Sequence, residues 1–580
     1  MRFFISLFSI VFCITSAGLI FGGNYSSVPL TSPIYALIDQ AQITGAVQHV
    51  PSVRPYTESK VIELLNEMLH GSKLSDREKK IAKSYLESFN PVGNILQDGY
   101  LSFGEIPLTA DMGIRVETLS SADFAGLEAF AQTNYFNFFM DGDIGTSISY
   151  AFDMAFALNF LQIEAFPAYS YSVDWDGYTY NPSSMGGGGN VDQFYSFAFR
   201  SRPEISTGFF DGKVTMNFGR HRREWGLGSD SLVLSGSGRP IVAFETTLQL
   251  TDWMSYSYLV GTLENGGDNA QASQLQSMTA MKMVEIRPLD WIYIAVHEGV
   301  VFPKRFELGY LNPLIFSSLY QSQIGDFDNI MGGATLGLSL PGVAEAWTTL
   351  YVDELKPESI SDFFDYVRNF YSFQAGVQAA IPSVPFGLLT LQYTKVEPFT
   401  YTHPATEVPW VDPVGSVDPS VVYESFVSGG EGLCTKLDPN TDELLVRVNA
   451  NPLEHLSVHG GYQLIRHGEY GGSYDEPLSG YGDALLSPEM EAIYLEAWGA
   501  ASPPDLADLR KAFLKDGDYE WYNIFSIGGN YDLLPLTNIP VNLLLTGLAV
   551  YQFKNDHTGT RISWEDEGWH YYVTAAINIW

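Results

Sequence analysis

In the stretch "GRHRREWGLGSDSLVLSGSGRP", residues 219–240, four arginines and a tryptophan are gathered among glycines. Arg220, Arg222, Arg223 and Arg239 are four of only 31 Lys and Arg in a chain that carries 67 Asp and Glu and a formal net charge of -36. A guanidinium is a rigid fork of donors that suits a carboxylate, a phosphate or sugar hydroxyls, and the indole of Trp225 offers a flat apolar face to a sugar ring. Three uses are open to them. The arginines can pair with some of the acids and lock the loop that carries them inside the lumen, contact a saccharide together with Trp225, or hold lipid phosphates.

Other groupings carry less chemistry. "DWDG" (Asp174, Asp176) and "GDFDN" (Asp326, Asp328) have the spacing of calcium ligands, but neither completes a twelve-residue loop with its closing acid, so both read as turns. The ten histidines form no "HExxH" and have no cysteine partner, so neither metal nor other cofactor is expected. Ser457 and His459 share one strand face, as a serine hydrolase would require, but such a pair is ordinary in a polar lumen and no enzyme is expected.

The elements that must position these residues are mostly strands. Apolar residues make up 46% and charged ones 17%, with 37 Phe, 34 Tyr and 54 Gly, a balance that favours many strands and turns. "MRFFISLFSIVFCITSAGLIFGGN" reads as a secretory signal peptide over residues 1–23, which leaves Cys434 as the single cysteine of the exported chain and rules out an internal disulfide. Residues 24–97 form a helical unit, expected in the periplasm. Ser32 and Pro33 open a first helix that Gly45 closes; Val61, Leu64, Leu65 and Met68 line a second; the capping box Ser75/Glu78 begins a third with Ile81, Tyr85, Leu86 and Phe89. The unit stands either as a separate module or as a cap on the strands beyond it.

From about residue 109 the period changes to two, as in "ATLGLSL" and "LLTLQYT". Alternation alone fits a soluble sandwich or a membrane barrel, but the connections separate the two. Short links ("FFDGK", "LTDW", "IRPLDW", "LPGV", "IPSVP", "ANPLE", "LLPLTNIP") alternate with long polar stretches near 161–192, 223–239, 264–275, 304–329, 356–370, 399–442, 468–518 and 554–568, the pattern of an outer-membrane barrel. Residues 98–580 are therefore assigned to a transmembrane antiparallel β-barrel, an all-β fold. About 19 period-two segments are present, and an even number is required. Counting back from a last strand that descends after 554–568, the first ascending strand lies near 109–118, residues 98–106 become a lead-in, and about 18 strands remain. The chain ends "WHYYVTAAINIW", an amphipathic strand with a terminal aromatic of the kind read by the barrel assembly machinery, although Val573, Ala575, Ile577 and Ile579 are one position out of phase with Trp580. In this frame Val214, Met216 and Phe218 face lipid, Asn217, Gly219 and His221 face the lumen, and the remaining arginines lie at or beyond the outer rim.

"VPLTSPIYALIDQAQITGAV" with "RPYTESKV", then "GRHRREWGLGSDSLVLSGSGRP", then "HEGVVFPKRFELGYLNPL" together resemble, in order, segments of the Wzi-type capsule-assembly family; the likeness runs from about 28 to 320. It implies an 18-stranded barrel in the bacterial outer membrane with a periplasmic helical part, acting without catalysis as a lectin that anchors capsular polysaccharide or exopolysaccharide. The expected saccharide contacts are Arg220, Arg222, Arg223, Trp225 and Arg239. Expected partners are surface polysaccharide, outer-membrane lipid and, during insertion, the barrel assembly machinery; the acidic balance argues against nucleic acid. It also argues against an acidic polymer unless divalent cations bridge it. The rival expectations are a passive porin for cations or neutral solutes, and an adhesin whose acidic loops contact proteins.

Overall fold

The computed structural model describes residues 25–89, 101–103, 106–108, 111–123, 129–144, 148–160, 174–175, 178–179, 195–263, 277–303, 307–324, 328–354, 370–398, 400–401, 406–411, 417–422, 425–428, 431–468, 514, 519–533, 541–563 and 567–579. The expected signal peptide, Cys13, Asp176, Asp326 and Trp580 lie outside the described residues.

Three helices come first. Helix α1 (Ile34–Thr44) begins one residue later than its capping residues predict: Pro33 takes the N-cap position, the Ser32 hydroxyl accepts from the Ile34 amide at 3.4 Å, and Gly45 ends the helix at φ 75°. Helix α2 (Glu58–His70) is capped by Thr57, whose hydroxyl accepts from the Lys60 amide at 3.2 Å, and it buries Val61, Leu64, Leu65 and Met68 as their spacing predicts. Helix α3 (Asp76–Ser88) forms the expected capping box, with Ser75 Oγ accepting from the Glu78 amide at 3.3 Å and Glu78 Oε2 accepting from the Ser75 amide at 2.8 Å. All three share one apolar core, and that core includes Phe386 from a short turn of the barrel.

Among the described residues, eighteen strands close into one antiparallel ring. The first six are β1 (Asp111–Asp123), β2 (Ala129–Ile144), β3 (Ile148–Phe160), β4 (Tyr195–Phe209), β5 (Val214–His221) and β6 (Ile241–Thr251). Next come β7 (Met254–Thr262), β8 (Ser277–Leu289), β9 (Ile292–Pro303), β10 (Asn329–Leu340), β11 (Ala344–Glu354) and β12 (Phe370–Ala380). The last are β13 (Leu388–Val396), β14 (Thr441–Leu453), β15 (Leu456–His467), β16 (Glu520–Leu533), β17 (Val541–Asn555) and β18 (Gly568–Ile579). Strand β18 pairs with β1, Val116 opposite Ile577, which leaves no free edge and bears out the count reached by parity. The lead-in forms a small hairpin, Leu101–Phe103 against Ile106–Leu108, attached to the wall at Leu108 and Ile144.

The wall sorts its side chains as the alternation predicts. Along β10, Leu336, Leu338 and Leu340 are 44%, 47% and 61% exposed on the outer face, while Thr335 is buried on the inner. Aromatic residues mark two levels. Phe210, Trp253 and Trp291 stand exposed in or beside the short turns. Near the other rim, Phe553, Tyr551, Trp569 and Tyr571 form an unbroken series of ring contacts across β17 and β18, with centroids 5.0–6.0 Å apart. Two such girdles bounding an apolar band are the mark of a barrel that crosses a membrane with strands. Among the described residues no helix is long and apolar enough to cross one.

The helices sit at the short-turn end. The Gly342 amide donates to Ile43 O at 2.7 Å, Arg287 Nη2 to Val50 O at 2.6 Å, and Tyr85 OH to Asn451 Oδ1 at 2.9 Å. The helical unit is thus a cap on the barrel, the second of the two arrangements the sequence allows. Because outward positions meet acyl chains, Val296→Arg is expected to lower the unfolding free energy by about 2–4 kcal/mol in vesicles, measured by urea titration, whereas Thr247→Arg on the inner face of β6 loses less.

Candidate functional site

Strand β5 delivers its chain to the outer rim at His221, and there the chain turns back into the lumen. This corrects the expectation that the arginines beyond the strand stand at or outside the rim: Arg222 and Arg223 are 5% and 2% exposed, and Trp225 is fully buried. Arg223 Nε donates to Glu245 Oε2 at 2.7 Å, its Nη1 to the carbonyls of His221 and Ile241 at 3.1 Å, and Trp225 Nε1 to Glu245 Oε1 at 3.1 Å. Arg220 lies in the outward phase of β5, opposite Val242, and is half-buried. Arg239, also half-buried, donates to Glu431 Oε1 at 3.0 Å across two long loops.

Beyond Trp225 the segment crosses the lumen. The Ser229 amide donates to Gln392 Oε1 at 2.9 Å, Gln392 Nε2 returns a bond to Ser229 O at 2.7 Å, Gln374 Nε2 donates to Asp230 O at 3.1 Å, and Arg447 Nη1 donates to Ser229 Oγ at 2.8 Å. Glu245 stands on β6 and Gln392 on β13, so the segment ties together walls seven strands apart in a ring of eighteen. Asp230 is the knot on the far side: its carboxylate accepts from Ser235, from the Thr435 hydroxyl at 2.9 Å and from the Lys436 amide. Leu232, Val233 and Leu234 pack with Trp225 into one core that also includes Tyr293, Tyr351, Tyr401, Phe426 and Cys434. The glycines are needed here. Gly228 has φ +87°, and a Cβ there would lie 2.6 Å from Gln392 Oε1 and 2.7 Å from the Trp347 ring.

The N-terminal unit reaches the same core from the short-turn end. Val53–Arg54 pairs with Glu224–Trp225 as a two-stranded ribbon, and the Gly226 amide donates to Ser52 O at 3.1 Å. The Ser52 amide donates to Glu285 Oε1 at 2.9 Å. Arg54 bonds to Asp39 and lies over the rings of Tyr35 and Tyr56, 5.2 and 5.7 Å from their centroids. Burial pushes Glu224 up to about 7, with Arg54 opposing the shift, and its Oε1 accepts from the Asp230 amide at 3.1 Å.

Of the other candidates, Asp328 and the Ser457/His459 pair lie among the described residues with known surroundings. Asp328 is buried and accepts from Tyr310 OH at 2.7 Å. Ser457 and His459 face the lumen on β15, with the imidazole against Gly528. Among the described residues, no cluster of His, Cys, Asp and Glu could hold a metal ion. Sequence reasoning missed Glu245, Gln374, Gln392, Asp230 and the 51–54 segment. The only signal for the first three was polarity at lumen positions, which nearly every strand shares.

No family model and no curated protein matches the chain. Among solved structures it is similar to Wzi of Escherichia coli, an outer membrane protein involved in group 1 capsule assembly and a carbohydrate-binding β-barrel, with a TM-score of 0.55 at 12% identity over 97% of this chain and 99% of that one. OprD of Pseudomonas aeruginosa aligns with a TM-score of 0.39 at 9% identity, over 83% of this chain and 97% of that one. A BenF-like porin from Pseudomonas fluorescens gives 0.39 at 9%, over 83% and 99%. The likeness to Wzi carries the fold, that of an outer-membrane β-barrel.

Two outcomes are expected of this lumen. Glu245→Ala strands the buried Arg223 and should cost about 3–5 kcal/mol, read as a lower unfolding midpoint in micelles. Because the folded Glu224 titrates above its ordinary value, its contribution is full below about pH 4.5 and is lost as pH rises through about 7. Thermal midpoints measured from pH 5 to pH 8 should therefore fall more steeply in the native protein than in Glu224→Gln.

Proposed function

We propose that the chain is a non-enzymatic outer-membrane barrel that binds or anchors surface polysaccharide. One observation supports this reading over a porin: the lumen is crossed by residues 224–235, bonded to Glu245 on one wall and to Gln374, Gln392 and Arg447 on the other, above a helical cap. A conduit for solutes gains nothing from an interior packed with Leu232, Val233, Leu234 and Trp225, whereas a fixed interior can hold surface loops in one shape. The carbohydrate bound by the similarly folded Wzi supports the ligand class.

The five residues of the arginine stretch divide the labour. Arg222, Arg223 and Trp225, buried, set the shape from behind; Arg239, beside Glu431, and Arg220, at the outer rim, are the ones with surface to offer hydroxyls or phosphates. A neutral or amino-sugar glycan suits the charge of -36, as does an acidic one bridged by divalent cations.

The test is single-channel recording in planar bilayers together with glycan-array binding. The intact protein should be silent, Gly228→Val should produce conductance steps by dislodging the segment, and Arg239→Ala should weaken glycan binding while the barrel stays folded. Large, stable, cation-selective steps in the intact protein would overturn the reading in favour of a porin.

A further inference from the structure

Strands β7, β8 and β9 carry a feature that a lipid-facing wall does not tolerate. Lys282 and Glu298 are register partners in the outward phase, level with Tyr258. Their neighbours in that phase are Val284, Ile286, Ile294 and Val296, and Val296 is 51% exposed. A charged side chain on the lipid face of a barrel is destabilising, most of all well below the rim. Lys282 lies five residues from the start of β8, roughly 16 Å along a strand at about 3.3 Å per residue. Yet Lys282 and Glu298 are 4% and 8% exposed.

The cover is the chain beyond β9. Helices α4 (Leu308–Leu311) and α5 (Ser317–Ile324) lie against the outside of the barrel. Lys282 Nζ donates to Glu298 Oε1 at 3.2 Å, to Ser317 Oγ at 3.0 Å and to Ile315 O, and the Ser317 amide donates to Glu298 Oε1 at 2.5 Å. Tyr258 OH donates to Tyr310 O at 3.1 Å and Tyr256 OH to Pro313 O. Tyr310 packs on Phe302, Val300 and Ala280, all outward residues. Gly309 is hollowed for the Tyr320 ring, which would meet a Cβ at 2.2 Å. The outer side of this layer is apolar: Leu308, Leu314, Phe316 and Leu319 are 61%, 84%, 52% and 61% exposed.

We propose that residues 307–324, although they belong to a long outer connection, are a membrane-embedded second layer of the wall, pinned by Lys282 and Glu298 and presenting Leu308, Leu314, Phe316 and Leu319 to the acyl chains of the surrounding bilayer. The occupant is set by continuity, since this apolar surface adjoins the outward faces of β8 to β10, where Val296, Ile294 and Leu336 are exposed. The inference rests on the barrel's place in the outer membrane and is independent of whether it binds polysaccharide.

Spin labels on the full chain in phospholipid vesicles test it: Leu314→Cys and Phe316→Cys, with Val296→Cys as the wall reference and Asp290→Cys, in a short turn, as the aqueous reference. The unsubstituted protein is the blank, because Cys434 is buried and its thiol is held well above its ordinary range by that burial. Relaxation by oxygen relative to a water-soluble nickel chelate should match Val296 at both loop positions, and Lys282→Ala should shift the Leu314 label toward the aqueous value. Aqueous ratios at 314 and 316 with Val296 still lipid-like would overturn the proposal. Shielding from both reagents would also overturn it, showing protein rather than lipid on this face. An aqueous Val296 would instead sink the membrane placement of the barrel itself.

Discussion

Glu245 accepts from Arg223 with one oxygen and from Trp225 with the other, and the interior of the barrel depends on these two hydrogen bonds. The carboxylate is fixed on β6, so the rigid fork of Arg223 and the indole of Trp225 can satisfy it only if the chain beyond β5 turns inward. Once Trp225 is inside, its backbone offers a ribbon edge that Val53–Arg54 takes up, and the residues after it reach the polar side chains of the opposite wall. A buried ion pair alone is a weak source of stability, because desolvation offsets much of the attraction. Here its value is geometric, in that it fixes which segment fills the lumen and in which direction.

The scarcity of bases in so acidic a chain fits the same logic. Arg54 pairs with Asp39, Arg223 with Glu245, Lys282 with Glu298, Arg239 with Glu431, Lys436 with Glu443 and Arg466 with Asp442. Most of these sit where water is largely excluded, which is where an unpaired carboxylate costs most.

The wall was legible in the sequence because its rule is local. Period-two patterning placed β10 and β13, loop lengths oriented the strands, and parity put the first ascending strand near 109–118, where β1 (Asp111–Asp123) stands and pairs with the last strand. The helices were legible for the same reason, down to the Ser75/Glu78 capping box, with the one-residue shift at Pro33 reflecting a helix start that no side chain of that residue can cap. The interior was not legible. The arginine stretch stood out by composition, but whether Arg223 points to solvent or to Glu245 depends on a partner 22 positions away among many lumen carboxylates. The loop over β7 to β9 was hidden more deeply: Lys282 and Glu298 break the outward pattern, and a broken pattern reads as noise until the covering segment is seen.

The connectivity of the interior also bears on how the molecule can be built. Each strand of the ring pairs with a neighbour close in sequence, except at the seam between β18 and β1, where partners such as Val116 and Ile577 are separated by almost the whole chain. The filling is different: the 51–54 segment enters from the short-turn side as the link between α1 and α2, while residues 222–240 form a loop hinged at both ends on the opposite rim. Neither has to be threaded through a closed circle. Ring closure and interior filling are therefore topologically separable steps, so the cylinder can close around water and lose that water afterwards, when ribbon and loop meet in the middle.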